Sequence, residues 1–248
     1  MDEITEAEKK QILADRHQIK EDNYKKYRNV LIQQSINHMK EISLFGYEED
    51  NTQETLDTLK NQLRLLVNYN ISHKEIKNRR EIINRIENYL KTHNSSNKHI
   101  LLYGPAGTGK TKIACAIMRT LQLQYHQAVL FINLNELKQL IMKSFHNDNA
   151  NQKLNILMKY SRQCDVLILD DLGTDSSNSN AEYHEASESI QQRLYEIANA
   201  RFDKTTIITS NYNKRDLSKI YNDKIISRFL PKNNDPLPVS FVDLQDLR

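Results

Sequence analysis

The sequence predicts an α/β fold, a parallel sheet between helices, preceded by a small all-helical N-terminal module. Three observations carry that expectation. Before Gly104 the chain holds a single glycine, Gly46, and no proline, amid abundant Glu, Lys, Gln and Leu, a composition that reads as helix. From about residue 97, short apolar runs alternate with helical patterns, and continuous apolar strands of this kind belong to parallel sheets covered on both faces. Between the first apolar run and the first helix that follows it stands a glycine-rich turn, Gly104–Thr111.

The helical starts are marked. Thr5 with Glu8, Asn51 with Glu54 and Ser72 with Glu75 have the spacing of a capping box or a close variant. Leu56, Leu59, Leu63 and Leu66 form one stripe at helical spacing, and Ile76, Ile83, Ile86 and Leu90 form another; both read as core or helix–helix contacts. Phe45–Gln53, with Gly46 and three consecutive acids, reads as a loop. These signals place the N-terminal module at 1–66 and a second domain, which owns the Ile76 helix, at 67–248. In that domain His99–Tyr103, Ala128–Ile132, Val166–Asp170 and Thr205–Thr209 are expected strands. Lys110–Gln124, Leu134–Arg162 and Ala186–Phe202 are expected helices, the second interrupted by the polar run Asn147–Asn151, and Asp175–Asn180 is an expected loop.

Bulk properties narrow the class. A chain of 248 residues with 38% hydrophobic residues has room for one α/β core and a smaller appendage. It has no run of 18 apolar residues, so no membrane span is expected, and Met1-Asp2-Glu3 does not resemble a secretory signal. Cys115 and Cys164 lie far apart in apolar surroundings; two buried reduced thiols are expected, in keeping with the cytoplasm. A net charge of +3 permits a nucleic-acid partner without requiring one.

Three segments carry chemistry. Gly104-Pro105-Ala106-Gly107-Thr108-Gly109-Lys110-Thr111 fits G-x-x-x-x-G-K-S/T, with the strand before it and the helix after it that the pattern needs. Such a loop turns backbone N–H groups toward the phosphates of ATP, and the helix beginning at Lys110 adds its positive end. Lys110 is expected on the terminal phosphates and Thr111 on Mg²⁺. Val166–Leu169 then deliver Asp170 and Asp171 to the C-terminal end of a buried strand, where ligands of parallel sheets bind. Asp170 suits Mg²⁺ as a hard oxygen ligand, and Asp171 suits the attacking water. After the strand Thr205–Thr209, Asn211 offers an amide to hold that water. The plain alternatives are a chance glycine turn, two acids capping a strand and an ordinary Ser-Asn turn.

For DNA, Lys138, Lys143, Lys153 and Lys159 could line a groove that tracks a phosphate backbone, with Phe145 stacking on a base. A solvated helix face with Phe145 in the core accounts for the same residues.

Together the phosphate loop, the strand ending Asp170-Asp171-Leu172-Gly173, and Ala198-Asn199-Ala200-Arg201-Phe202 leading to Thr209-Ser210-Asn211 resemble the AAA+ helicase-loader family of the DnaC and DnaI type, with IstB-like ATP-binding proteins close beside it. The resemblance covers about residues 97–248. It implies an ATPase that delivers a replicative DNA helicase to single-stranded DNA, assembled as a homo-oligomer or on the helicase itself. Lys224–Phe229 is similar to the family segment that puts Arg228 in the place of an arginine finger, acting on the neighbouring subunit's γ-phosphate; the bland reading is a surface arginine on a short helix. Arg248 lies where the family often has a nucleotide-sensing arginine. Two features depart from the family: many members carry Glu where Asp171 stands, and many carry a zinc-binding N-terminal module, which this chain, with no cysteine before Cys115, cannot form. The competing functions are a replication initiator or transposition helper on the same core, a small-molecule P-loop kinase, and an interaction module that uses ATP as a rarely hydrolysed switch. The absence of a helix-turn-helix pattern after Pro231 weighs against an initiator that reads duplex DNA.

Overall fold

The computed structural model describes residues 36–45, 54–63, 71–91, 99–174, 185–201, 203–230 and 238–246, with scattered positions between 11 and 34. The expected helix starts at Thr5 and Asn51, the end of the Leu66 stripe, the 66/67 boundary, the loop Asp175–Asn180 and Arg248 lie outside the described residues. The described positions from 11 to 42 have helical backbone. Helices α1 (Leu56–Gln62) and α2 (His73–Lys91) follow, then β1 (Ile100–Tyr103), α3 (Lys110–Gln124), β2 (Val129–Asn133), α4 (Leu134–Ser144), α5 (Asp148–Gln163) and β3 (Val166–Asp170). The chain continues with α6 (Glu188–Ala200), β4 (Thr206–Ser210), α7 (Lys214–Ile220), α8 (Asp223–Phe229) and β5 (Val239–Ser240).

The five strands form one sheet in the order β2-β3-β4-β1-β5, and every pairing is parallel. Alternate residues face opposite sides. Leu101, Leu130, Ile132, Leu167, Leu169 and Ile208 enter one core cluster, while Ile100, Leu102, Phe131, Ile168 and Ile207 enter the other. Helices α4, α5 and α6 close the first face through Leu137, Leu157 and Leu194, and α1, α2 and α3 close the second through Leu59, Ile86 and Ile117. Being covered on both sides is why these strands read as unbroken apolar runs. Among the described residues no helix is long and apolar enough to cross a membrane.

The caps explain where helices begin. Helix α1 starts on Thr55, whose side chain accepts from the Thr58 amide in a reciprocal box, four residues beyond Asn51. Ser72 accepts from the Glu75 amide at 3.2 Å, as the spacing predicted. The Glu75 carboxylate, however, does not complete that box; it is engaged by Arg79. Asn147 caps α5 by accepting from the Ala150 amide, so the polar run that interrupts the expected helix is a break followed by a restart.

Residues assigned by sequence to the N-terminal module share the sheet's cores. Met39 and Leu44 belong to the first cluster, and Leu56, Leu59 and Leu63 to the second. Leu44 also lies along the β2 edge: its amide donates to Phe131 O and its carbonyl accepts from Asn133 N, both at 2.9 Å. That contact occupies hydrogen-bonding groups an edge strand otherwise leaves open. Cys115 and Cys164 are both buried thiols outside any disulfide, as expected. Arg201 is a fully buried brace whose guanidinium donates to Ser161 O, Cys164 O and Thr205 O at 3.0, 2.7 and 2.8 Å. It ties the end of α5 to the start of β4.

Candidate nucleotide site

Four strands end at one place. Gly104 follows β1, Asn133 ends β2, Asp170 ends β3 and Ser210 ends β4. Because the strands are parallel and in register, their C-terminal ends form one rim, the place where open α/β sheets bind ligands.

The phosphate loop leaves β1 at Gly104, whose amide donates to Ser210 O at 3.2 Å. Here glycine is obligatory on steric grounds: φ is +147°, and a Cβ would stand 2.8 Å from the Phe241 carbonyl carbon. Lys110 opens α3 with only 5% of its surface exposed. Its Nζ donates to Gly104 O at 2.8 Å, Pro105 O at 2.7 Å and Asn211 Oδ1 at 3.1 Å. The ammonium is therefore fixed inside the loop and tied to the residue after β4. This unites two of the segments picked out in sequence.

The acidic pair is the third. Asp170 is buried. Its Oδ1 accepts from Thr111 Oγ1 at 3.0 Å and from Thr209 Oγ1 at 2.6 Å, and its Oδ2 accepts from Asn133 Nδ2 at 3.2 Å. Burial, with the Asp171 carboxylate beside it, pushes the Asp170 carboxyl up to about 6 against those three bonds, which pull it down. Asp171 stands at φ +60°, a left-handed conformation that Asp tolerates better than most residues. Its amide donates to Thr209 Oγ1 at 2.9 Å, so the turn that aims the second carboxylate is pinned to β4.

Asn133 is a site residue that the motif search passed over. Its Nδ2 reaches Asp171 Oδ2 at 3.3 Å as well as Asp170, while its Oδ1 caps α4 by accepting from Asn135 N and Glu136 N. One amide thus links both acids to the helix that carries Lys143. Thr209 was passed over too, although it hydrogen-bonds both acids. A signal existed for Asn133: an apolar run ending in a polar residue, the pattern that marked Asp170.

The remaining expected residues fall elsewhere. Arg228, on α8, donates to Lys224 O at 2.9 Å and lies 5.4 Å over the Tyr195 ring; neither partner belongs to this chain's phosphate loop. Phe145 is 68% exposed and Met142 61%, so the reading of Phe145 as a core residue is corrected: it sits in the turn after α4, beyond the reach of either core cluster. Lys143, Lys153 and Lys159 are exposed, and Lys138 is half-buried. An apolar cavity of about 110 Å³ lined by Leu59, Leu63, Ile83 and Ile113 opens beside Gly109.

A parallel sheet with a phosphate loop after β1, an acid pair after β3 and an amide after β4 defines a P-loop site on an AAA+ fold. The profile of the IstB-like ATP binding protein family matches residues 24–230, and the chain belongs to that family. The match begins well upstream of residue 97, where the sequence resemblance was read. Among curated proteins none matches in sequence. Solved structures share the fold. DnaI superposes with TM-score 0.57 at 20% identity, over 79% of this chain and 95% of that one. A candidate primosome component of Streptococcus pyogenes serotype M3 gives 0.53 at 17% identity, over 78% and 92%. AMPPCP-bound DnaA from Aquifex aeolicus gives 0.53 at 20%, over 77% of this chain and 50% of that one. The chain spans only about half the length of the DnaA structures it matches.

Proposed function

We propose that this chain is a cytoplasmic, Mg²⁺-dependent ATPase that loads a replicative DNA helicase onto single-stranded DNA, as a homo-oligomer or an assembly built on the helicase. The observation that carries the proposal is the convergence on one rim of Lys110, Thr111, Asp170, Asp171 and Asn211. Lys110 Nζ to Asn211 Oδ1 is 3.1 Å, and Thr111 Oγ1 to Asp170 Oδ1 is 3.0 Å. The donor set fits a divalent cation. Asp170 accepts three hydrogen bonds, and burial beside the Asp171 carboxylate still pushes its carboxyl up to about 6; Asp170 with the Thr111 hydroxyl would hold Mg²⁺ as hard oxygen ligands. The ion, when bound, neutralises charge on the phosphates.

The chain's own residues then divide the work. The loop Gly104–Thr111 binds phosphate through backbone N–H groups, and Lys110 exchanges its loop carbonyls for phosphate oxygens. Asp171 accepts a hydrogen bond from the attacking water, and Asn211 orients it. The cavity beside Gly109 takes the base. Arg228, held by Lys224 O and over the Tyr195 ring, serves the neighbouring subunit's site, so hydrolysis reports assembly. Lys143 and Phe145 contact single-stranded DNA. The helical N-terminal module, 1–66, binds the helicase, and its later part packs Met39, Leu44, Leu56, Leu59 and Leu63 into the cores of the ATPase domain proposed at 67–248, so that domain does not fold without it. A replication initiator or transposition helper, the alternative that membership of an IstB-like family keeps open, uses the same chemistry on a different target.

The test uses γ-labelled ATP with single-stranded DNA, resolved by thin-layer chromatography. The label should appear as free phosphate; transfer to a small acceptor would make the protein a kinase. Arg228→Ala and Asp171→Asn proteins, each nearly inactive alone, should regain activity on mixing, because one hybrid interface has both an intact acid and an intact arginine. No rescue after demonstrated mixing would remove Arg228 from the site. A helicase captured from host lysate only with ATP supports loading, and none captured favours the alternative.

A further inference from the structure

The phosphate loop is gripped by the segment that follows β5. After β5, Phe241 N donates to Tyr103 O at 2.8 Å, and Leu244 is buried in the second core cluster. These two anchors fix the course of the next residues. Gln245 is then held by both halves of its peptide: its amide donates to Glu75 Oε1 at 3.1 Å, and its carbonyl accepts from Arg79 Nη2 at 2.9 Å. Glu75 and Arg79 form an ion pair at 2.6 Å with 6% and 5% of their side-chain surface exposed. The same guanidinium donates through Nη1 to Thr108 O at 2.9 Å. One buried pair on α2 therefore holds this segment with one hand and the phosphate loop with the other.

The consequence falls on Asp246. A Cβ built on Gly107, where φ is +75°, would lie 1.9 Å from Asp246 Oδ1 and 2.5 Å from Oδ2. The carboxylate thus occupies the space that any side chain at position 107 would need, in contact with the loop that gathers N–H groups and Lys110 for phosphate. A carboxylate and a triphosphate repel at that range, and the repulsion is only partly screened because one side of the contact is protein.

We infer that the strap Phe241–Asp246 is an anionic gate on the phosphate loop, with Glu75 and Arg79 as its positioning residues. Asp246 opposes nucleotide entry until the strap shifts, and the shift is transmitted through Arg79 to Thr108. The inference rests on the nucleotide reading of the loop and goes beyond it. A strap that merely braces the loop makes the opposite prediction, since any change at Asp246 would loosen the loop and weaken binding. The sign decides between them.

The experiment titrates the full chain with a non-hydrolysable ATP analogue and Mg²⁺ by calorimetry, at low and high salt. Asp246→Asn should tighten binding about threefold to tenfold and Asp246→Arg further, with both gains shrinking in high salt. Inorganic triphosphate should show the same order, because the base is not involved. Amide exchange at Gln245 in the unaltered chain should speed up when the analogue binds. An unaltered chain that binds no nucleotide overturns the reading of the loop itself. A chain that binds normally, while both Asp246 variants bind no tighter and Gln245 exchange stays constant, overturns the gate and leaves a brace.

Discussion

Replacing Asp170 by Asn should stabilise the nucleotide-free protein at neutral pH while removing its response to Mg²⁺. Asp170 is buried between Thr111, Thr209 and Asn133, and burial together with Asp171 pushes its carboxyl up to about 6. The unfolded reference lies near 3.9. A carboxyl raised in the folded state contributes no penalty below about pH 4, where both states are protonated. Between about pH 4 and 6 the folded protein binds the extra proton, so stability falls as pH rises, and above about 6 the cost is constant. Two units correspond to roughly 3 kcal/mol. Asparagine returns only part of this, because its amide N–H₂ would face the Asn133 amide that donates to Oδ2. A net gain of about 1–2 kcal/mol is expected, or roughly 2–8 °C in Tm for a chain of this size. Differential scanning fluorimetry at pH 4.5 and 7.5 measures it. The variant should melt higher than the parent at pH 7.5, lose the advantage at pH 4.5, and show no further gain with Mg²⁺ and ATP analogue. A variant less stable at pH 7.5, or one whose gain is independent of pH, would refute a carboxylate raised by burial and by Asp171 at this site.

Three further outcomes follow from the same geometry. Asn133→Ser keeps an oxygen to cap α4 but loses the amide that holds both acids, so the rate of hydrolysis should shift by about twofold or more while nucleotide binding is kept; an unchanged rate would separate Asn133 from the acids. Phe145→Ala should cost about 1–3 kcal/mol in binding of single-stranded oligonucleotides, and Lys143→Ala should lower the salt slope of that binding by about 1; fluorescence anisotropy at several salt concentrations reads both, and no change in either would return this turn to a solvated surface. Truncation divides the N-terminal module in two. A protein starting at residue 36 should fold and keep nucleotide binding while losing the helicase. One starting at 67 should unfold, because it loses buried Leu44, Leu56, Leu59 and Leu63, at about 1.5–3 kcal/mol each, a sum comparable with the whole stability of a domain. Cooperative melting of the shorter protein would contradict that.

The convergence of the candidate site's segments on one rim was legible because each is short and its flanks are strong signals. The glycine loop, Asp170, Asp171 and Asn211 each follow an apolar run, and a parallel sheet brings the ends of such runs together. What was not legible depended on distant partners. Strand β5 is two residues long, Val239–Ser240, and becomes a strand only by pairing with β1, so no local period announces it. Glu75 and Arg79 have the spacing of an ordinary helix-surface pair; they are buried because Gln245, 170 positions after Glu75, closes over them. Leu44 reads as the end of a helical segment, yet its backbone extends the β2 edge. Phe145 is a large apolar residue that pattern alone cannot distinguish from a core residue; the break after α4 leaves it outside.

The loop Gly104–Thr111 and the carboxylate of Asp171 are proposed to perform separate parts of one ATP hydrolysis. Lys110→Ala, Asp171→Asn and the unaltered chain should be compared in one experiment, with nucleotide binding by calorimetry and γ-phosphate release measured on the same samples. Lys110→Ala should lose tight binding and hydrolysis together, since on the proposed reading the buried ammonium is the charge that meets the terminal phosphates. Asp171→Asn should bind as the parent does and release phosphate at least a hundredfold more slowly. Hydrolysis by Asp171→Asn at the parent rate, or tight binding by Lys110→Ala, would contradict the account.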